Sequence, residues 1–222
     1  MDYKTVKDRK FIIFDFDGTI YDSGPGVMKG ARYALESFGI KVGDLEELRG
    51  FNGPPLWDSF MEFYGFTWEQ ADIAVKKYRE YYEAEGINDG MIYTGIPELL
   101  RDLKRSNKTL ILATSKSQHY FPRILENLGI EDCFDIVVGS SSDGSRSSKE
   151  DVLDYALKLA GITDNSDAVM VGDRKFDVIG ARAFGIETIG VLYGYGSREE
   201  FEAAGADYIA EDIEALRRLL LG

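Results

Sequence analysis

Asp15 and Asp17 directly follow the apolar run Phe11-Ile12-Ile13-Phe14 and precede Gly18 and Thr19. A strand that reads as buried therefore ends in two negative charges, although Asp and Gly are poor strand residues. Residues two apart in a regular strand point to the same side. If the strand ends between them, one carboxylate faces a cleft and the other sits above it. Gly18 permits a tight turn there, and Thr19 can hydrogen-bond locally. Asp-x-Asp alone reads as a solvated strand end. Asp-x-Asp-Gly-Thr straight after an apolar strand is far more specific.

Three further strand ends carry chemistry-bearing groups. "LILATSK" closes on Thr114, Ser115 and Lys116, a hydroxyl followed by a backbone able to bind phosphate. A polar stretch, residues 139 to 149, delivers Lys149 at a helix start. "VMVGDRKFD" places Asp173 after Gly172, with Asp177 four residues on. Singly these read as a surface lysine and helix-capping aspartates. A parallel sheet would gather the carboxylates, the hydroxyl and the lysine at one edge. Clustered carboxylates repel unless a cation joins them, and an all-oxygen donor set suits Mg²⁺.

The elements that must position these groups alternate along the chain. "KFIIFDFD", "TLILATS", "DIVVGS", "AVMVGD" and "TIGVLYG" read as short, doubly covered parallel strands. Between them lie helices: Pro97 falls in the first turn of one, Gly129 and Gly161 follow the ends of two others, and "SREE" at Ser197 reads as a capping box. The alternation predicts an α/β fold, a doubly wound and mostly parallel sheet, with ligands beyond the carboxyl ends of the strands. One region departs from it. From about Gly24 to Gly90 the pattern is helical, with Thr67 and Gln70 as a capping box and Ala71, Val75, Tyr78 and Tyr82 on one helix face. The expected division is a core of residues 1–22 and 91–222 and a helical insert of residues 23–90. Gly24, Gly26, Gly86 and Gly90 are candidate hinges.

With 222 residues, 44% apolar and 29% charged, the composition is that of a globular chain. A net charge of −13 argues against nucleic acid or an anionic membrane as partner. No apolar stretch is long enough for a membrane span, and residues 1–10 do not resemble a signal peptide. The single cysteine, Cys133, reads as a small half-buried side chain, and the single histidine, His119, as a surface residue near a helix start. These features imply a cytoplasmic protein. "GPGVMKG" at 24–30 resembles a dinucleotide fingerprint, but its third glycine falls one place late. "YGYGS" at 193–197 reads as strand-to-helix geometry rather than a phosphate cradle.

The four motifs, "DFDGT" at 15–19, Thr114, Lys149 and "GDRKFD" at 172–177, resemble those of the haloacid dehalogenase superfamily, in the same order over nearly the whole chain. The stretch 171 to 197 is most similar to its phosphoglycolate phosphatase and 5′-nucleotidase-like branch. The resemblance implies a Rossmann-like core with the insert as a helical cap, and Mg²⁺-dependent hydrolysis of a small phosphomonoester, phosphoglycolate-like or a nucleoside monophosphate. Asp15 would be the nucleophile and Asp17 the general acid and base, a residue that dehalogenases generally lack. Thr114 and the Gly18 and Ser115 amides would bind phosphoryl oxygens, and Lys149 would neutralise charge. Mg²⁺ would bind Asp15, the Asp17 carbonyl and Asp173, with Asp177 in the outer shell. Arg49 and Asn52, in the "RGFNGPPLWDSF" loop at 49–60, would meet the leaving group. Ser115 stands where close relatives often have Asn, and Thr94 where they usually have Pro. A sugar phosphomutase on the same scaffold is one alternative, and a phospho-acceptor receiver domain, which would lack the insert and "DGT", is another. The assembly would be a monomer or homodimer.

Overall fold

The structure, a computed structural model, describes residues 5–222 except 142, 144 and 147. The chain forms two compact units, Met1–Tyr21 with Ile92–Gly222 and Asp22–Met91. In chain order the strands are β1 (Phe11–Phe14), β2 (Tyr21–Asp22), β3 (Met91–Ile92), β4 (Thr109–Ser117), β5 (Ile136–Ser140), β6 (Ala168–Gly172), β7 (Glu187–Val191) and β8 (Tyr208–Ala210). The helices are α1 (Gly24–Ser37), α2 (Leu56–Tyr64), α3 (Trp68–Ala84), α4 (Ile96–Arg105), α5 (Phe121–Leu128), α6 (Lys149–Leu159), α7 (Lys175–Arg182), α8 (Arg198–Ala204) and α9 (Ile213–Leu221).

Six strands form one sheet in the order β5-β4-β1-β6-β7-β8, and all its neighbours are parallel. The chain runs outward from β1 through β4 to β5, then crosses to β6 on the other side of β1. The strand order therefore reverses at β1, the place where doubly wound sheets open a ligand crevice. The five anticipated runs are all strands. β8 is an addition, since three residues with no alternation carry almost no pattern. On one face Ile13, Ile111, Val138 and Met170 pack with Val152, Leu153, Ala156 and Ala181 of α6 and α7. Burial of both sheet faces explains the continuous apolar strands.

Local signals fix the helix ends. Pro97 lies in the first turn of α4, and Gly129 caps α5 in the left-handed conformation at φ 61°. Ser148 and Asp151 form a capping box that starts α6 at Lys149. The box expected at Ser197 is only half formed. Ser197 Oγ accepts from the Glu200 amide, but the Glu200 carboxylate accepts instead from Arg174 Nε at 2.9 Å and the Lys175 amide at 2.7 Å. Two donors, one of them charged, outcompete a single backbone amide.

The other unit is helical. Thr67 and Gln70 exchange both hydrogen bonds of a capping box, and Ala71, Ala74, Val75, Tyr78 and Tyr82 are the buried face of α3. Gly26 and Gly86, two of the candidate hinges, pack closely on one another. A Cβ on Gly26 would lie 2.1 Å from the Gly86 carbonyl oxygen. The stretch 49–60 is less of a loop than its prolines suggest. Residues up to Phe51 form a 3₁₀ turn, and α2 starts immediately after Pro54-Pro55. Phe60 drives this, being fully buried against Phe51 and Phe66 at ring distances of 4.9 and 5.9 Å.

Candidate active site

Register brings the motif residues to one edge. Phe14 is level with Leu112 of β4 and Val171 of β6. Asp15, one residue on, donates its amide to the Val171 carbonyl at 2.9 Å and is thereby held as a continuation of β1. Thr114 lies just beyond the matching point of β4, and Asp173 just beyond that of β6. The chain then turns. The Gly18 amide donates to the Tyr21 carbonyl at 2.8 Å, with Gly18 at φ 78°. Thr19 donates its amide to the Phe16 carbonyl, but its buried hydroxyl has no hydrogen-bond partner among the described residues, unlike the local bond expected of it.

Asp15, Asp173 and Asp177 are all buried, and one carboxylate oxygen from each lies within 4.8 Å of the others. Lys149 enters from the start of α6. Its ammonium is 2.8 Å from Asp15 Oδ1 and 2.7 Å from Asp177 Oδ1, and donates also to the Ala113 carbonyl at 3.2 Å. Burial penalises that charge, but Asp15 and Asp177 outweigh it and hold the lysine above its usual pKa. One ammonium cannot balance three carboxylates. Burial, with repulsion from Asp177 and Asp17, pushes Asp15 up to about 6 despite Lys149. Burial, with repulsion from Asp177 and Asp15, pushes Asp173 well above the carboxylate range. Asp173 has no ion-pair partner among the described residues. The donor set is all oxygen, confined and short of positive charge, which fits a hard divalent cation such as Mg²⁺. Asp177 belongs to this triad directly, beside its bond from the Arg174 amide at 3.1 Å.

Two features add to the motif residues. Lys116, its side chain 8% exposed, holds both carboxylate oxygens of Asp17, at 2.9 and 3.1 Å. The available signal was position, because Lys116 lies two residues after Thr114 at the same strand end. The second is the glycine-rich turn after β7. The Tyr195 amide donates to Asp173 Oδ2 at 2.9 Å. A Cβ on Gly194 would lie 2.3 Å from the Gly18 carbonyl oxygen and 2.4 Å from Asp173 Cβ, and one on Gly196 2.2 Å from the Asp173 carbonyl oxygen. This turn does join a strand to a helix, and it also forms a wall of the acidic cluster.

Thr114 is buried, its Oγ1 accepting from the Lys116 amide at 3.3 Å, and Ser115 is exposed. Arg49 and Asn52 lie in the helical unit. Arg49 is exposed and 3.9 Å from Glu46, while Asn52 is buried. His119 is exposed in a single turn directly before α5. Cys133 is a free, buried thiol. No helix of the described residues is long and apolar enough to cross a membrane.

This arrangement has close parallels among known proteins. The chain is 37% identical over 209 residues to a 5′-nucleotidase of Pseudomonas aeruginosa, covering 94% of each chain. It is 38% identical over 214 residues to the tyrosine-protein kinase PtkA of Mycobacterium tuberculosis, covering 95% of this chain and 72% of that one. The crystal structure of a predicted phosphatase from Clostridium acetobutylicum superposes with a TM-score of 0.90 at 44% identity, covering 96% of this chain and 98% of that one. The family model for haloacid dehalogenase-like hydrolases matches residues 12–191, from β1 through β7 and so across every strand end of the site. The chain belongs to the haloacid dehalogenase-like hydrolases.

Proposed function

We propose that the protein is a Mg²⁺-dependent phosphatase of small phosphomonoesters, with nucleoside 5′-monophosphates and phosphoglycolate-like esters as the substrate classes, acting in the cytoplasm through an aspartyl-phosphate. The observation that carries this reading is the triad of buried carboxylates at the end of β1 with the Lys149 ammonium bonded to it. The relative named a 5′-nucleotidase, 37% identical, supports the nucleotide class.

Asp15 attacks phosphorus, and the bond from phosphorus to the ester oxygen breaks. Protonated Asp17 gives its proton to the departing alkoxide. Its carboxylate then takes a proton from the water that attacks the acyl phosphate, freeing phosphate and Asp15. Lys149 offsets charge on Asp15 and the phosphoryl group, Thr114 donates to a phosphoryl oxygen, and the Gly18 and Ser115 amides do the same. Asp15, Asp173 and the Asp17 carbonyl would hold Mg²⁺, with Asp177 beside them. When bound, the ion supplies charge neutralisation at the phosphoryl oxygens. Rigid placement plus electrostatics is most of what phosphoryl transfer needs. Specificity is assigned to the helical unit as a cap, through Arg49 and Asn52.

The test is a panel of nucleoside 5′-monophosphates, phosphoglycolate and sugar phosphates with Mg²⁺. Continuous phosphate release, abolished in Asp15→Asn, is the expected result. Isomerised sugar phosphate without net release would make it a mutase, one phosphorylation per chain a receiver, and transfer from ATP to a tyrosine peptide a kinase. Undiminished release by Asp15→Asn would remove Asp15 from the chemistry.

A further inference from the structure

We propose that Lys116 is a positioning residue for Asp17, setting where the acid–base carboxylate stands at the edge of the triad. This rests on the phosphatase reading above. Asp17 lies past the end of β1, in the turn, where a single bridge to Tyr21 fixes its backbone but not its side chain. Its carboxylate is 30% exposed, enough to rotate toward solvent. What restrains it is a two-point grip, with Lys116 Nζ at 2.9 Å from Oδ1 and 3.1 Å from Oδ2.

Lys116 is itself well anchored. It lies in the irregular end of β4, where the register with β5 shifts between Ala113 and Ser117. Its amide donates to Thr114 Oγ1. Its carbonyl packs so closely on β5 that a Cβ on Gly139 would come within 2.6 Å of it. Gln118 Oε1 accepts from the Gly139 amide at 2.6 Å and locks the same junction. The ammonium also lies 6.0 Å from the centre of the Phe16 ring. Backbone, strand junction and ring fix the lysine, and the lysine fixes Asp17. Asp17 must meet two oxygens in turn, that of the leaving alcohol and that of the attacking water, so its placement governs both half-reactions. Lys149 serves Asp15 and Asp177 and is not in a position to replace it.

The test uses Lys116→Met, Lys116→Arg, Asp17→Asn and the Lys116→Met/Asp17→Asn double variant of the full chain. Lys116→Met should lose roughly 10- to 100-fold in kcat for an alkyl phosphate with little change in KM, the scale of a misplaced acid–base group. An aryl phosphate with a good leaving group should lose less in its first step, so aspartyl-phosphate should accumulate and be visible in quenched enzyme by mass spectrometry. Lys116→Arg, which can also grip two oxygens, should recover part of the rate. In the Asp17→Asn background the Met change should cost almost nothing further. Equal fold-losses in both backgrounds would show that Lys116 acts on substrate or fold, and would overturn the proposal. A crystal structure of Lys116→Arg, and of Lys116→Met if it melts like wild type, reads the placement without activity. An Asp17 carboxylate left in place without its ammonium overturns the proposal even if the protein proves not to be a phosphatase. Absence of phosphate release by wild type would instead defeat the phosphatase reading.

Discussion

Replacing Lys149 by Met keeps the length of the side chain and removes the one cation bonded to the acidic triad among the described residues. At distances of 2.8 and 2.7 Å, each attraction to Asp15 and Asp177 amounts to about 6 kcal/mol at an effective dielectric constant of about 20. Desolvating the ammonium, which is 7% exposed, cancels much of that. Breaking a buried pair from one side typically costs about 3–5 kcal/mol. For a chain of this size that is a fall in Tm of roughly 6–20 °C without metal at pH 7.5. The pH dependence has a definite sign. Asp15 is pushed up to about 6 in the folded state from an ordinary value of 3.8, so the folded state binds the extra proton between these values. Stability associated with this group is full at low pH and is lost as pH rises from about 4 through 6. Without Lys149, which lowers the Asp15 pKa, that carboxylate is harder still to ionise, so the deficit of the variant should shrink at pH 5. Millimolar Mg²⁺ at pH 7.5 should also shrink it, because a ligand of the folded state stabilises that state by mass action. The assay is thermal unfolding of wild type and Lys149→Met at both pH values, with and without Mg²⁺. A variant that melts within about 2 °C of wild type at pH 7.5 without metal, or a deficit indifferent to both pH and Mg²⁺, would refute this account of the triad.

Gly194→Ala should raise the Mg²⁺ concentration needed for half-maximal thermal stabilisation at least about tenfold, since its Cβ would lie 2.4 Å from Asp173 Cβ and 2.3 Å from a backbone oxygen. An unchanged Mg²⁺ titration would mean that the turn after β7 does not hold Asp173 in place. Arg49→Ala should leave Tm within about 1 °C, because its pair with Glu46 is exposed on both sides and such pairs contribute little. It should nevertheless cost about 1–3 kcal/mol in kcat/KM for the preferred substrate and much less for p-nitrophenyl phosphate, and equal losses on both would take specificity away from the helical unit.

Residue type and short-range order determined a good deal of this protein. Buried parallel strands need unbroken apolar runs, so Phe11–Phe14 and its four counterparts were legible one by one. The same runs mark where the chemistry stands, because the polar residue after each run falls at a strand end. Thr67 with Gln70 and Ser148 with Asp151 bond within a single turn, and local pairs of that kind need no tertiary partner. Whatever depended on a distant competitor was not legible. Glu200 carries the same local signal as Gln70, yet Arg174 and Lys175, distant in sequence, claim its carboxylate. Tyr208–Ala210 became a strand only because the edge of β7 was there to pair with. The grip of Lys116 on Asp17 joins residues 99 positions apart, and the Tyr195 amide reaches Asp173 across 22. Sequence named the carboxylates, but only strand order and register could set how far apart they stand. That separation, with the burial around it, decides which lysine balances each carboxylate and how much negative charge is left for a metal to meet.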